Sequence, residues 1–127
     1  GGGGRGGRGG AANTQGGIDA MIVNAQNAGA RVVAGTDTPN AANVQAELVA
    51  YVAAGMTPFQ ALKTATVNSA QALGLNVGTI EPGRLADLAI VEGNPLQDVS
   101  ATYRVVQVVA NGRVFTRAEL VRGAIAP

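Results

Sequence analysis

One carboxylate stands where its side chain could take part in chemistry. Asp37 follows a run of small and β-branched residues at 31–34, which is typical of a short strand buried on both faces, and Gly35 and Pro39 end that run. In α/β folds the loops after the strands converge on one crevice, which is where reactive side chains gather. On the local pattern alone, the alternative is a turn-forming Asp that hydrogen-bonds its own backbone.

The composition limits the kinds of site that this chain can hold. Its 127 residues contain no Cys, which excludes disulfides and thiolate ligands, and no His. His is the commonest metal ligand and general base near neutral pH, so we do not expect a complete hydrolytic metal site within these residues. The hydrophobic content of 46% consists mainly of Ala and Val and aromatics make up 3%, which predicts a core of small side chains and marginal stability in isolation.

Targeting signals are missing from the sequence, and its charge favours no polyanion. No apolar run reaches the ~18 residues of a transmembrane helix, and the first residues lack the apolar stretch of a signal peptide, so localisation stays open. The net charge is +1, which gives no electrostatic case for nucleic acid. Residues 1–17 are rich in Gly and are expected to form a disordered leader.

Residues 18–76 have the pattern of helices around one buried strand. A helix is predicted at 18–28 and another at 44–54, with Gly29 and Gly55 as stops. A helix that leads into a buried strand is half of a βαβ unit, which implies a parallel sheet. The neighbouring strands that such a sheet requires are not encoded ahead of residue 18.

Two helix starts are predicted from capping residues. Thr57 can cap a helix in which Pro58 takes the first position and Gln60 completes a capping box. Asn68 is predicted to cap a further short helix that ends at Gly74. The buried face of the first of these helices is expected to consist of Phe59, Leu62 and Ala65.

Residues 77–115 change to the period of β-strands. Strands are predicted at 85–91 and 105–110, and the Asn-Gly pair at 111–112 predicts a hairpin with a return strand at 114–115. The Pro-Gly pair at 82–83 predicts a type II turn. A terminal helical turn is expected at 116–122, within the tail at 116–127.

Six motifs follow one another in a specific order. They are Ala-Gly-Thr-Asp at 34–37, Glu-Leu at 47–48, Ala-Gly-Met-Thr-Pro-Phe-Gln-Ala-Leu at 54–62, Ala-Thr-Val-Asn-Ser-Ala-Gln-Ala-Leu-Gly at 65–74, Gly-Thr-Ile-Glu-Pro-Gly-Arg-Leu-Ala-Asp-Leu at 78–88 and Asn-Gly at 111–112. In this order they resemble the C-terminal end of the amidohydrolase superfamily, closest to its imidazolonepropionase-like and prolidase-like branch. The resemblance covers most of the chain, and it is the joint order of the motifs that makes it specific.

The resemblance implies a fold and a role for one residue. The fold class is α/β: the last strand and flanking helices of a (β/α)8 barrel at 18–76, and antiparallel strands of a composite β-sandwich at 77–115. Asp37 matches the family's Asp after the eighth barrel strand. By resemblance it binds a divalent metal, expected to be Zn²⁺, takes a proton from the metal-bound water and passes it to the leaving nitrogen. No residue is expected to bind another cofactor.

The sequence also departs from the family. Its other ligands, a His-x-His pair, a mid-barrel Lys or Glu and two further His, would lie upstream of Gly1. We therefore expect a fragment of a hydrolase that acts on a small amide, cyclic amide or Xaa-Pro-type peptide when complete, and that is inactive alone without tight metal binding. Gln45 stands about where relatives carry a His. Two acids have structural interpretations: Asp87 as a strand-end carboxylate, and Glu47 as a first-turn acid favoured by the helix dipole.

Two alternatives to a catalytic fragment stay open. The chain could be a split or degenerate, non-catalytic subunit that pairs with an N-terminal barrel half. It could also bind RNA through the Arg-Gly-Gly repeats of the leader, although two Arg give little phosphate affinity and the rest of the chain lacks a basic or aromatic platform.

Overall fold

The computed structural model describes residues 15–37, 40 and 42–125, so residues 1–14 of the leader predicted at 1–17 lie outside the described residues. Four helices come first along the chain, and three strands with a 3₁₀ helix and a last helix follow. The helices are α1 Gln15–Asn27, α2 Ala42–Ala53, α3 Pro58–Thr64, α4 Val67–Leu73 and α5 Arg117–Ile125. The strands are β1 Leu88–Val91, β2 Val105–Ala110 and β3 Arg113–Thr116, with the 3₁₀ helix Val99–Tyr103 between β1 and β2. No helix in this part of the chain combines the length and the apolar run that crossing a bilayer takes.

The predicted helix ends at α1 to α3 largely agree with the structure. Helix α1 begins at Gln15, so the last three residues assigned to the leader are helical. Gly29 and Gly55 have φ angles of 89° and 118°, the left-handed region that lets a chain leave a helix. The capping box at the start of α3 is confirmed, because the Gln60 amide donates to the Thr57 hydroxyl at 3.2 Å and the Thr57 amide donates to the Gln60 side chain at 2.9 Å.

The predicted cap of α4 is wrong. The helix begins one residue before Asn68, and its N-cap, Thr66, makes no side-chain capping bond. Asn68 instead lies within α4, and its side-chain amide donates to the Val32 carbonyl at 2.9 Å, so a distant contact rather than a capping bond occupies this side chain. The stop at Gly74 is confirmed by its φ of 66°.

The predicted buried face of α3 is also wrong in part. Phe59 is 61% exposed, whereas Ala61 and Thr64 are completely buried. The Thr64 hydroxyl donates to the Ala61 carbonyl at 2.6 Å, so this polar group is satisfied inside the helix and can be buried. The small side chains let α3 lie close to its neighbours, which leaves the larger ring of Phe59 outside, under the Lys63 ammonium at 5.6 Å.

The three strands form one antiparallel sheet in the order β1-β2-β3. Asn111 and Gly112, with φ angles of 49° and 77°, make the tight turn between β2 and β3, as predicted. The turn at 82–83 is confirmed by the φ of 88° at Gly83. Asp87 accepts a hydrogen bond from the Asn111 amide at 2.6 Å, which confirms its interpretation as a strand-end carboxylate.

The sequence patterns predicted neither the 3₁₀ helix nor the full length of helix α5. The 3₁₀ helix is capped by Asp98, which accepts from the Ser100 amide at 2.9 Å. Helix α5 has nine residues rather than a single turn. Its start is a capping box, because the Glu119 amide donates to the Thr116 hydroxyl and the Thr116 amide donates to the Glu119 carboxylate.

The core joins the two halves of the chain. Its buried residues come from α2, the turn after it, α3 and the 3₁₀ helix: Leu48, Tyr51, Met56, Ala61 and Val99. Partly buried residues of α1 and of the segment after it pack against this cluster, among them Ile22, Val23, Val32 and Ala34. Helix α2 is therefore the element around which the described residues pack.

Candidate functional site

The chain from residue 30 to residue 36 is extended, but it does not form the strand predicted at 31–34. Val33 is 40% exposed, so burial on both faces is wrong for this segment as the structure describes it. The physical reason is that a parallel strand exists only through its neighbours' hydrogen bonds. The three strands of the described chain all belong to the sheet at 88–116 and none pairs with it.

Three hydrogen bonds from three helices hold the segment instead. The Asn68 side chain on α4 donates to the Val32 carbonyl at 2.9 Å, and the Ala34 amide donates to the Thr64 carbonyl at the end of α3 at 3.0 Å. The Gly35 amide donates to a carboxylate oxygen of Glu47 on α2 at 3.3 Å. These bonds fix the path of the backbone up to the residue that precedes Thr36.

Asp37 lies in a bend directly after this segment and is exposed. Within the described residues its carboxylate makes no hydrogen bond or ion pair, so the turn in which Asp hydrogen-bonds its own backbone is not seen there. An exposed carboxylate oxygen is a suitable ligand for a divalent cation. It is, however, a single ligand: among the described residues no group of three or more His, Cys, Asp or Glu side chains comes together.

The described residues therefore supply only part of the ligand set that a divalent metal at this position would need. A catalytic zinc site takes three protein ligands and keeps one position open, and Asp37 can supply one of the three. The described chain fits one ligand position of such a site and not a complete one.

Glu47 is not the first-turn acid that the sequence predicted. It is the sixth residue of α2, and the first turn of that helix contains no acid. One of its carboxylate oxygens, Oε1, accepts from both the Gly35 amide and the Tyr51 hydroxyl. The other, Oε2, is buried and has no hydrogen-bond partner among the residues that the structure describes. The i, i+4 spacing of Glu47 and Tyr51 was the available sequence signal for this pair.

Burial is the main cause that raises the pKa of Tyr51 well above its usual value, followed by the hydrogen bond to Glu47 and the negative charge of that carboxylate. The side chain of Tyr51 is 8% exposed. The phenol therefore stays protonated at neutral pH and remains a donor to the Glu47 carboxylate.

An open apolar cleft of about 460 Å³ lies between α2 and α3 on one side and β1 on the other. Gln45, where relatives were expected to carry a His, is among its lining residues. Most of the lining is apolar and includes Val44, Leu48, Leu62, Ile80, Leu88 and Ile90. Leu48 at the base of the cleft is buried, whereas Ile80 is 88% exposed and Ile90 42% exposed, so the described chain leaves part of this apolar lining uncovered.

Comparison with known proteins assigns the chain to a family. The sequence profile of the Amidohydrolase family matches residues 15–115, which is most of the chain. The chain belongs to the amidohydrolase family. The resemblance predicted from its motifs is thereby confirmed, and the family is one of metal-dependent hydrolases in the TIM-barrel superfamily.

Individual amidohydrolases match parts of the chain. Adenine deaminase 4 of Rhizobium meliloti is 46% identical over 68 residues, which are 52% of this chain and 10% of the deaminase. Imidazolonepropionase of Deinococcus deserti is 40% identical over 81 residues, 59% of this chain and 20% of the relative. The crystal structure of a Xaa-Pro dipeptidase with methionine bound in the active site superimposes with a TM-score of 0.72 at 32% identity, over 78% of this chain and 25% of the dipeptidase. The chain thus spans between a tenth and a quarter of the length of these relatives.

Proposed function

We propose that this chain is the C-terminal part of a metal-dependent amidohydrolase that hydrolyses a C–N bond in a small amide, a cyclic amide or a Xaa-Pro-type peptide. Membership of the family supports the reaction class. The names of the relatives support the bond, since a deaminase removes an amine and a dipeptidase cleaves a peptide, and both reactions break a C–N bond.

In this proposal, residues 15–76 are the last strand and flanking helices of a (β/α)8 barrel, and residues 77–115 are strands of a β-sandwich beside it. The leader would be shorter than predicted, because helix α1 begins at Gln15, and 116–127 would be the tail, of which 117–125 are helix α5. The observation that carries the proposal is the extended segment that ends at Asp37. It is held by helices and lacks strand neighbours among the described residues, which is what a barrel strand separated from the rest of its barrel would show.

Asp37 is proposed to serve as one metal ligand and as the proton carrier. The metal, Zn²⁺ or another divalent ion, supplies Lewis acidity that makes water easier to deprotonate near neutral pH. Asp37 would accept the proton of the attacking water and return it to the leaving nitrogen. Its exposure at the end of the segment and its lack of a partner in the described chain support this role.

The remaining ligands are proposed to come from barrel strands outside this sequence. The isolated chain would then bind zinc weakly and hydrolyse nothing, because one carboxylate does not hold a catalytic zinc. A calorimetric zinc titration of the isolated chain tests this. Tight stoichiometric binding together with hydrolysis would contradict the fragment proposal.

The role of Asp37 requires a complete barrel for its test. A chimera in which this chain replaces the matching quarter of the solved Xaa-Pro dipeptidase supplies one. We expect the chimera to bind metal and hydrolyse a dipeptide, and Asp37→Asn to lower its kcat by about 10² to 10⁴-fold, the range for a positioned acid–base group.

The matched control is Glu92→Gln, which removes an exposed carboxylate from the other half of the chain. It should leave kcat and the metal content unchanged. Metal content is measured by mass spectrometry and folding by thermal melting, so that a loss of activity through unfolding is recognised. A folded D37N chimera with wild-type kcat would refute the proposed role of Asp37.

A second candidate function is that of a non-catalytic or split subunit which covers an N-terminal barrel half. The uncovered apolar cleft between α2, α3 and β1 favours it, because an open apolar surface of this kind marks a contact with another part or another chain. Co-purification of the chain with a His-rich partner would support this reading. If that pair turned over an amide while D37N in the pair kept full activity, the chain would be a structural subunit.

A further inference from the structure

We propose that Glu47 is a positioning residue for Asp37, which it serves by binding the backbone of the segment that carries it. The inference rests on the proposed function of Asp37 and adds a residue to it. Glu47 would not touch the metal or the substrate. It would act through the Gly35 amide, two residues before Asp37.

The three anchors of the segment differ in their distance from Asp37. The bond from Asn68 holds residue 32 and the bond to the Thr64 carbonyl holds residue 34. The bond to Glu47 holds residue 35, two residues before the candidate ligand and nearer to it than the other two bonds. Gly has the widest backbone freedom of any residue, and restraint of its amide therefore removes more motion here than it would elsewhere.

The carboxylate that makes this anchor is itself held by the core. Tyr51 donates to the same oxygen of Glu47, and its ring is part of the buried cluster with Leu48 and Met56. Because burial and the carboxylate keep the phenol protonated, this support is present throughout the neutral range. A site residue is positioned best when the groups that support it are themselves fixed by packing and hydrogen bonds, and Glu47 meets this condition through Tyr51.

The hydrogen bonds of Glu47 indicate that it does more than stabilise the fold. Its Oε2 atom is buried and lacks a donor in the described part of the chain, which is unfavourable for a carboxylate. A buried polar atom without a partner requires an explanation other than stability, and a role in a site is one. The position of Glu47 next to the segment of Asp37 gives that explanation.

Amide hydrogen exchange of the full chain tests the contact. In Glu47→Ala the exchange of the Gly35 amide should become faster by roughly tenfold, as expected for the loss of one hydrogen bond. In Glu47→Gln the amide oxygen still accepts, so exchange should stay near the wild-type rate. Glu92→Gln is the control and should change nothing at Gly35.

Kinetics of the dipeptidase chimera test the consequence. We expect E47A to lower kcat or the metal affinity by about 10 to 100-fold with little change in KM, the range for residues that orient metal ligands. E47Q should recover most of this loss, because a side chain that only needs to accept a hydrogen bond does not need its charge. A residue with a purely structural role would lower the melting temperature and leave kcat per folded, metal-loaded molecule unchanged.

The outcomes separate this inference from the proposed function. Wild-type kcat in a folded E47A chimera, next to an inactive D37N chimera, would overturn the positioning role and leave the function of Asp37 in place. Unchanged exchange of Gly35 in E47A would overturn it as well. Full activity of the D37N chimera would contradict the proposed function of Asp37 and therefore also the positioning role of Glu47.

Discussion

The extended segment at 30–37 and the sheet at 88–116 carry similar β-forming sequences and have different structures. The sheet forms a regular antiparallel ladder, and the segment makes no strand pairing with any described residue. The partners of β2 follow or precede it closely in sequence, with a two-residue turn on one side. The segment at 30–37 would need partners far away in the sequence, and a β-pattern alone cannot supply them.

The two regions also use their polar side chains differently. In the sheet, Asp87 accepts from the Asn111 amide and so supports a turn that its own residues already favour. In the segment, Asn68 and Glu47 replace absent strand neighbours with single hydrogen bonds. The sheet is thus held by hydrogen bonds between its own strands and turns, whereas the extended segment depends on side chains from the helices.

The largest expected effect is at Gly78, which packs against α4, the helix that supplies Asn68 to the extended segment. A Cβ at Gly78 would lie 2.9 Å from the Ala70 Cβ and 3.0 Å from both the Thr66 carbonyl oxygen and the Val67 Cα. The φ of 93° adds backbone strain to this overlap. Gly78→Ala should therefore destabilise the chain by about 3 kcal/mol, the sum of an overpacking and a strain term. Urea unfolding measures it.

Gly83→Ala is the matched control for that variant. Its φ of 88° is similar, but a Cβ there meets nothing within 4 Å. Only the backbone term remains, and the expected loss is about 1 kcal/mol. Equal losses for the two variants would show that α4 does not pack against Gly78 as described.

Asn68→Ala should loosen the segment and spare the sheet. It removes the donor to the Val32 carbonyl from a residue that is 8% exposed, at an expected cost of about 1 to 3 kcal/mol. Hydrogen exchange should rise at residues 32–35 and stay constant in β2. Asn76→Ala, which removes two exposed side-chain hydrogen bonds, one to the Gly83 carbonyl and one from Arg84, should cost less because these groups can bond water instead. Equal loosening of both regions would mean that they unfold as one unit.

High pH should destabilise the helical region through Tyr51. The folded state raises the pKa of Tyr51, so the stabilisation is complete below the ordinary tyrosine pKa of about 10 and is lost as the pH rises through the raised value. Urea unfolding between pH 8 and 11.5 should show this decline in the free energy of unfolding. In Tyr51→Phe the decline should be smaller, because the titrating phenol is gone. An equal decline in Y51F would assign the effect to other groups.

Low pH should give the smallest effect, in the C-terminal region. Hydrogen bonds from Ser100 lower the pKa of Asp98, and hydrogen bonds from Thr116 lower that of Glu119. A lowered pKa means stabilisation that is present above the ordinary values near 4 and is lost as the pH falls through the lowered ones. Melting temperatures at pH 6 and below pH 4 should differ less in the double variant D98N/E119Q than in the wild type.

Sequence patterns determined the features that depend on neighbouring residues. The capping box at Thr57, the stop at Gly74, the hairpin at 111–112 and the turn at 82–83 were all predicted and all formed. The motif order also predicted the amidohydrolase family, which the family profile confirmed. These features are encoded within a few residues or in a fixed succession, and they need no knowledge of how the helices pack.

Only the tertiary structure decided the features that depend on distant partners. Phe59 is exposed because small residues occupy the contact face of α3, and the role of Asn68 changed from a cap to a tether. Glu47 lies beside Gly35 because α2 packs along the extended segment, which no spacing in the sequence expresses. Hydrogen bonds across 12 and 36 residues are set by packing, and packing is a property of the whole chain rather than of a local pattern.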